Sequence, residues 1–218
     1  PRDDTETLVE WALALLAETI PAPATASPVR AIAPPAPAVP GAVPGAARTA
    51  PAEVLDLGTG SGAIALAIQS KRPNAQVHAT DASADALDVA RANATALKLP
   101  VQYHQGSWLG AAPDQQFDLI VSNPPYIAAA DPHLAALTHE PLQALASGAD
   151  GLEAIRQIVS QAPAHLHTGG WLLLEHGYDQ AAVVRALLEQ HGLSQVESRK
   201  DLAGVERCSG GQWQPASK

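Results

Sequence analysis

Methionine is missing altogether from the 218 residues, and cysteine occurs once, at Cys208. A single thiol rules out an internal disulfide framework and suits a reducing compartment, here expected to be the cytoplasm. With no Met and with Pro1 at its start, the chain reads as a piece of a longer protein. Basic residues are few: 13 Lys and Arg stand against 22 Asp and Glu, a formal net charge of −9. That balance argues against a stable grip on a nucleic-acid backbone, which needs clustered cations, and leaves a protein partner open. No apolar run approaches the roughly 18 residues of a membrane span, and no basic start with an apolar middle marks a signal peptide. No His/Cys/Asp/Glu cluster has metal-ligand spacing, so no metal is expected. Neither a Gly-x-Ser-x-Gly elbow nor a reactive-cysteine context occurs.

What is present suffices for one α/β domain, since 46% of the residues are hydrophobic. Leu8, Trp11, Ala12, Leu15 and Leu16 recur at helical spacing. They predict an amphipathic helix over 7–20, capped by Thr5, so that residues 1–20 flank the main domain. Residues 21–51 are rich in Pro and Ala, with Gly41 and Gly45. They predict a semi-rigid or disordered linker without secondary structure. The main domain is expected over 52–218. Strands are expected at 53–57, 76–80, 101–105, 117–121 and 170–175, and helices over 63–70, 84–97, 151–166 and 179–191. Residues 195–199 and 205–208 are expected to form a closing antiparallel pair. This alternation predicts a doubly wound, mainly parallel, Rossmann-like sheet of seven strands.

The most informative stretch is Asn123-Pro124-Pro125-Tyr126, directly after a short buried strand. Two prolines fix two φ angles and surrender both backbone donors, so the segment is a stiff corner with its carbonyls available. In open α/β sheets ligands bind at the carboxyl edge where this corner falls. An Asn amide both accepts and donates, and a Tyr ring is flat. Together they suit a planar substrate group carrying an NH2.

Gly58-Thr59-Gly60-Ser61-Gly62 joins a strand to a helix. Glycines let the backbone approach a ligand closely, and the helix start offers N–H groups. Such a loop serves a nucleoside-containing cofactor, either a dinucleotide or S-adenosylmethionine; Gly58, Gly60 and Ala63 fit the looser dinucleotide pattern. Asp81, about 20 residues on, suits the two ribose hydroxyls or a helix cap. Trp108 at the end of the third strand is either a platform for an adenine or a core aromatic. Asp56 is expected to orient the loop, His176 to be a hydrogen-bonded structural residue and Cys208 to be inert core. Gly210-Gly211-Gln212 reads as a glycine-rich tail without function.

Loop, acid and corner stand in the order of an S-adenosylmethionine-dependent methyltransferase acting on a conjugated amino group. More closely, the chain resembles the bacterial release-factor glutamine methyltransferases. The resemblance rests on Pro1-Arg2-Asp3-Asp4-Thr5-Glu6, residues 56–66, 121–127, 131–134, 140–142 and 172–177, and Glu206-Arg207. It implies transfer of a methyl group from S-adenosyl-L-methionine, with S-adenosyl-L-homocysteine as product. The acceptor it implies is the amide nitrogen (N5) of the glutamine in the Gly-Gly-Gln loop of peptide-chain release factors. It further implies that Gly58, Thr59, Gly60, Ser61, Gly62, Asp81, Trp108 and Asn123 contact the cofactor, and that Asn123, Pro124, Pro125 and Tyr126 hold the glutamine. Partners would be release factors, with no nucleic acid, membrane or metal. The chain departs from the pattern in three places. The family's small N-terminal helical domain does not appear, the 21–51 stretch is long, and Ser107 stands where relatives often have Asp. Rival readings are an adenine-N6 nucleic-acid methyltransferase, a nicotinamide-dependent oxidoreductase and a non-catalytic cofactor-binding module.

Overall fold

The apolar run Glu-Val-Leu-Asp-Leu becomes β1 (Glu53–Leu57), buried along almost its whole length. A strand buried on both faces belongs in the middle of a parallel sheet, and β1 lies between β2 (Gln76–Asp81) and β4 (Phe117–Ser122), parallel to both. β3 (Val101–Gln105) adds beyond β2, and β5 (Leu166–Glu175) beyond β4, again in parallel. β7 (Glu206–Trp213) runs antiparallel to β5 and to β6 (Leu193–Lys200), giving seven strands in the order β3-β2-β1-β4-β5-β7-β6. The computed structural model describes residues 3–19, 50–112, 114–129 and 147–215. Apart from residues 50 and 51, the expected linker lies outside them.

Helices cover both faces. Successive β1 residues point to opposite sides, so Leu55 and Leu57 enter one core and Val54 the other. The first core packs Ile155, Ile158 and Val159 of α4 (Glu153–His165) and Val184 and Leu188 of α5 (Ala181–Gln190) against Ile120 and Leu172. The second packs Leu8, Trp11 and Leu16 of α1 (Asp3–Thr19) and Ile64 and Ile68 of α2 (Ala63–Lys71) against Val77, Leu119 and Leu173. α1 is thus part of the core: Trp11 is fully buried and meets Trp171 edge-on at 6.2 Å. α3 (Ala84–Leu97) lies against β2 and β3 and is capped by Ser83, whose hydroxyl accepts from the Ala86 N–H at 3.2 Å.

Three expectations need correction. α1 begins at Asp3, so Thr5 stands inside the helix and does not cap it. The fifth strand begins at Leu166, directly after α4, whose last turn contains Pro163. Proline removes an intrahelical bond and so favours an early stop. Gly210-Gly211-Gln212 is no tail: it lies inside β7, with Gly210 opposite Leu173. A Cβ on Gly210 would run into Leu173 Cδ2 and come within 3.0 Å of the Trp11 ring, so packing explains the missing side chain.

Candidate active site

The strand order reverses between β1 and β4, and the carboxyl edge at such a switch point is a crevice that ligands occupy. Leaving β1, the chain turns through Gly58, Gly60 and Gly62, all at positive φ (67°, 55° and 85°). Glycine adopts that conformation without steric cost. Leaving β4, it turns through Asn123-Pro124-Pro125-Tyr126. The two turns start side by side, because Ser122 Oγ donates to the Leu57 carbonyl at 2.7 Å.

Asp56 and Asp81 hold the glycine turn. Asp56 is fully buried at the end of β1, and its Oδ2 accepts from the Thr59 hydroxyl at 2.6 Å and the Ala65 N–H at 3.1 Å. It therefore ties the loop to the first turn of α2, as its place in the sequence leads one to expect. Burial pushes its carboxyl up from 3.8 to about 6; the two hydrogen bonds pull the other way, and nearby Asp81 pushes it further up. Asp56 Oδ1 is buried and has no hydrogen-bond partner among the described residues. Asp81 Oδ2 accepts from the Gly60 N–H and its Oδ1 from the Ser83 N–H, both at 2.9 Å. The helix cap itself is Ser83.

Trp108 opens a short 3-10 turn after β3 and sits at φ 46°. Its six-membered ring lies 3.1 Å from where a Cβ on Gly58 would stand, and the side chain also packs on the first core. Trp108 is both a wall of the crevice beside the glycine turn and part of the hydrophobic packing. Ser61 is exposed, and its carbonyl accepts from Asn93 Nδ2 at 2.9 Å.

The proline corner is gripped by residues far away in sequence. Asn123 Nδ2 donates to Thr5 Oγ1 of α1 at 3.5 Å, and Thr5 Oγ1 donates to Glu175 Oε2 at 3.1 Å. The Tyr126 carbonyl accepts from Gln180 Nε2 at 3.0 Å, while Gln180 Oε1 accepts from the Gly177 N–H at 2.8 Å. Arg207 Nη2 donates to the Tyr126 hydroxyl at 3.2 Å, and its guanidinium lies 5.5 Å from the ring centre. Gly151 closes this junction: a Cβ there would collide with the Tyr126 carbonyl. The structure thus brings together the corner, the glycine turn, Asp81 and Trp108 at one edge. Thr5, Glu175, Gln180 and Arg207 had not been assigned to that edge. No spacing in the sequence connects them to residue 123 or 126, because the contacts arise only when α1, β5, α5 and β7 meet.

His176 is buried; Nε2 lies 2.7 Å from Ser209 Oγ and Nδ1 2.9 Å from the Gly177 carbonyl. Burial holds its pKa below the usual value. It is the hydrogen-bonded structural histidine expected, and Cys208 is buried in the second core. No group of metal-ligating side chains occurs among the described residues, nor any helix long and apolar enough to cross a membrane.

Residues 46–149 match the family model of the methyltransferase small domain. A release factor glutamine methyltransferase of Xylella fastidiosa is 56% identical over 161 residues, spanning 72% of this chain. The alignment takes in only 58% of that protein's length. A release factor glutamine methyltransferase of Pseudomonas aeruginosa is 45% identical over 216 residues, covering 98% of this chain and 67% of its own. Among solved structures, a ribosomal protein L11 methylase from Lactobacillus delbrueckii subsp. bulgaricus superposes with a TM-score of 0.54 at 25% identity. It covers 76% of this chain and 71% of its own.

Proposed function

The chain belongs to the release factor glutamine methyltransferase family, and on that premise we propose that it methylates the side-chain amide nitrogen (N5) of a glutamine. The acceptor would be the glutamine of the Gly-Gly-Gln loop in peptide-chain release factors, the methyl donor S-adenosyl-L-methionine and the setting the cytoplasm. The observation that carries this reading is the meeting of the glycine turn and the Asn123-Pro124-Pro125-Tyr126 corner at the β1/β4 switch point.

The residues present suit that methyl donor. Among the described residues no atom lies within 4 Å of where a Cβ on Gly60 would stand, so a ligand can approach its backbone. Each Asp81 oxygen accepts one backbone N–H and keeps a further lone pair for a ribose hydroxyl. Asp56 Oδ1, which has no hydrogen-bond partner among the described residues, favours a cationic ligand. Gly58, Thr59, Gly60, Ser61 and Gly62 would line the donor, and Trp108 would pack on its adenine. When bound, S-adenosyl-L-methionine supplies an electrophilic methyl on a sulfonium and departs as S-adenosyl-L-homocysteine.

A carboxamide nitrogen is a weak nucleophile because its lone pair is shared with the carbonyl, so the protein's task is alignment. Asn123 Oδ1 and the Pro124 carbonyl accept from the substrate NH2. That aims the nitrogen at the methyl group and favours the positive charge that grows on it. Tyr126 packs on the amide plane, and the proton leaves to water. A nicotinamide oxidoreductase would use the glycine turn but would leave this corner without a task.

The test is transfer of labelled methyl to a release factor, with a Gln-to-Ala variant of its Gly-Gly-Gln loop as blank and DNA as a second acceptor. Asn123→Ala should slow transfer about 10²–10³-fold, the usual cost of losing a group aimed at the transition state, while cofactor affinity changes far less. A parent-like rate would reduce the corner to a turn. Label on DNA and none on the release factor would favour the adenine reading.

A further inference from the structure

A side-chain amide can present either end to a substrate, and the two ends do opposite things. If Asn123 is to hold an NH2, its oxygen must face the crevice; turned over, it would set a donor against a donor. We propose that Thr5 and Glu175 are positioning residues that fix this polarity, and so select a substrate group that donates hydrogen bonds over one that only accepts them. The proposal rests on the methyl-transfer reading above.

The polarity turns on one proton. Thr5 carries a single hydroxyl hydrogen and gives it to Glu175 Oε2 at 3.1 Å. Its oxygen is then left only to accept, and what it meets is Asn123 Nδ2 at 3.5 Å. The contact is long for a hydrogen bond, but its sign still decides the outcome. With the amide inverted, Asn123 Oδ1 would face an oxygen that has no proton left to offer. Burial sharpens the choice: Glu175 is 1% exposed and Thr5 9%, so water competes little for these groups and mismatched polarity costs more. The fold supplies the geometry. Ser122 and Leu174 are partners in the β4–β5 register, which puts Asn123 and Glu175 next to each other at the sheet edge. Thr5 on the first turns of α1 lies over both. Leu8 and Trp11 seat α1 on the sheet, and that seating places Thr5 at the corner.

Thr5→Val keeps the shape and removes the hydroxyl. On a release factor with an intact Gly-Gly-Gln loop it should lower kcat about 10- to 100-fold through misorientation of the amide. S-adenosyl-L-methionine affinity, measured by calorimetry, should stay within about twofold of the parent, since the Thr5 hydroxyl is engaged with Glu175 and Asn123. Thr5→Ser retains the hydroxyl and should bring kcat back to within about threefold of the parent. A parent-like kcat in Thr5→Val would overturn the proposal, as would equal losses in both variants with cofactor affinity intact. Should Thr5→Val fail to fold, Glu175→Leu serves instead. It removes the acceptor of the Thr5 proton, which is then free to point at Asn123 and invert the amide. The same fall in kcat is then expected, and a parent-like value overturns the proposal.

A second readout needs no turnover. The Asn123 NH2 resonance of the isotope-labelled chain, identified by its loss in Asn123→Ala, should be protected from solvent exchange in the parent and unprotected in Thr5→Val. If the parent does not label a release factor yet the amide is protected, the substrate reading fails and the polarity relay stands. An unprotected amide in the parent sinks the relay whatever the substrate.

Discussion

Asp56→Asn tests whether the buried acid at the head of the glycine turn is kept at a cost to the fold. In the parent its carboxyl is raised from 3.8 to about 6, so the folded state holds a proton that the unfolded chain would release. That difference is worth about 3 kcal/mol. Well below pH 4 the group is neutral in both states and costs nothing. Stability is then lost as pH rises from about 4 to about 6, and the full cost is present above that window. Asparagine carries no charge, so the variant escapes this slope. Its amide oxygen can still accept from the Thr59 hydroxyl and the Ala65 N–H. Its NH2 then falls where Oδ1 has no partner among the described residues, a fixed penalty of about 1–3 kcal/mol at every pH. The two effects separate cleanly. The variant should be less stable than the parent near pH 4 and equal or more stable near pH 8, with a change of about 3 kcal/mol across the interval. For a chain of this size that corresponds to a change of about 6–12 °C in the difference of melting temperatures. The assay is thermal unfolding of both proteins at closely spaced pH values, because subtracting the curves cancels the titrating groups that do not interact with Asp56. A difference that stays flat from acid to neutral pH would refute the reasoning. If the charge is kept for a cationic ligand, S-adenosyl-L-methionine should also bind the parent less well at pH 5 than at pH 8 and lose that dependence in the variant.

Asp81→Ala removes the acceptors of the Gly60 and Ser83 N–H groups together with the proposed ribose contacts. Cofactor affinity should fall at least about tenfold, and calorimetry showing no change in a folded variant would take Asp81 out of the site. Arg207→Lys keeps the charge but gives up the flat guanidinium that bonds the Tyr126 hydroxyl and covers its ring. Steady-state kinetics should show kcat/KM lower by about 5- to 30-fold, and a parent-like value would mean that Tyr126 needs no such support. Gly210→Ala forces a methyl against Leu173 Cδ2 and the Leu172 carbonyl. It should cost about 1–3 kcal/mol or more, read as a lower melting temperature, and an unchanged one would show that β7 can shift.

The parts of the fold that periodicity governs were legible from residues alone. β1, β3 and α3 fall at the expected positions because alternating or continuous apolar runs end at strong breakers such as Gly58 and Gly106. The glycine turn and Asp81 were legible because a strand-to-helix loop with an acid one strand later follows from local chain geometry. Thr5 was misplaced because a Thr before an apolar stretch is a good cap in isolation. The helix begins earlier, at Asp3, and the Thr5 hydroxyl is spent on Glu175, a tertiary contact that local spacing does not show. Gly210 and Gly211 depart from local expectation for the same reason. Glycine lowers strand propensity, yet here the absence of a side chain is what lets β7 pass Leu173, Trp11, Leu193 and Val196. Propensity describes a residue among its sequence neighbours, and these positions answer to neighbours from other elements.

The same distinction explains how the corner is held. Pro124 and Pro125 have no N–H, so the segment cannot be fixed by a backbone ladder of its own. Stiffness in φ leaves the direction of the whole corner undetermined, and methyl transfer has little tolerance for misdirection: about 1 Å costs roughly 10²-fold. The direction must be set through side chains and carbonyls. The structure meets that need with Thr5 from α1 on Asn123, Gln180 from the start of α5 on the Tyr126 carbonyl and Arg207 from β7 on the Tyr126 hydroxyl. Three holders from three elements also make the geometry sensitive to the core: a shift of α1 or β7 reaches the corner at once. Gly210 lies three residues beyond Arg207 on β7 and packs against Trp11 of α1, so one small residue sets the seating of two of the three. The Gly210→Ala variant should therefore lose kcat/KM for the glutamine substrate even at temperatures where it remains fully folded and binds the cofactor normally. Parent-like kinetics under those conditions would show that the corner holds its direction independently of the core beneath it.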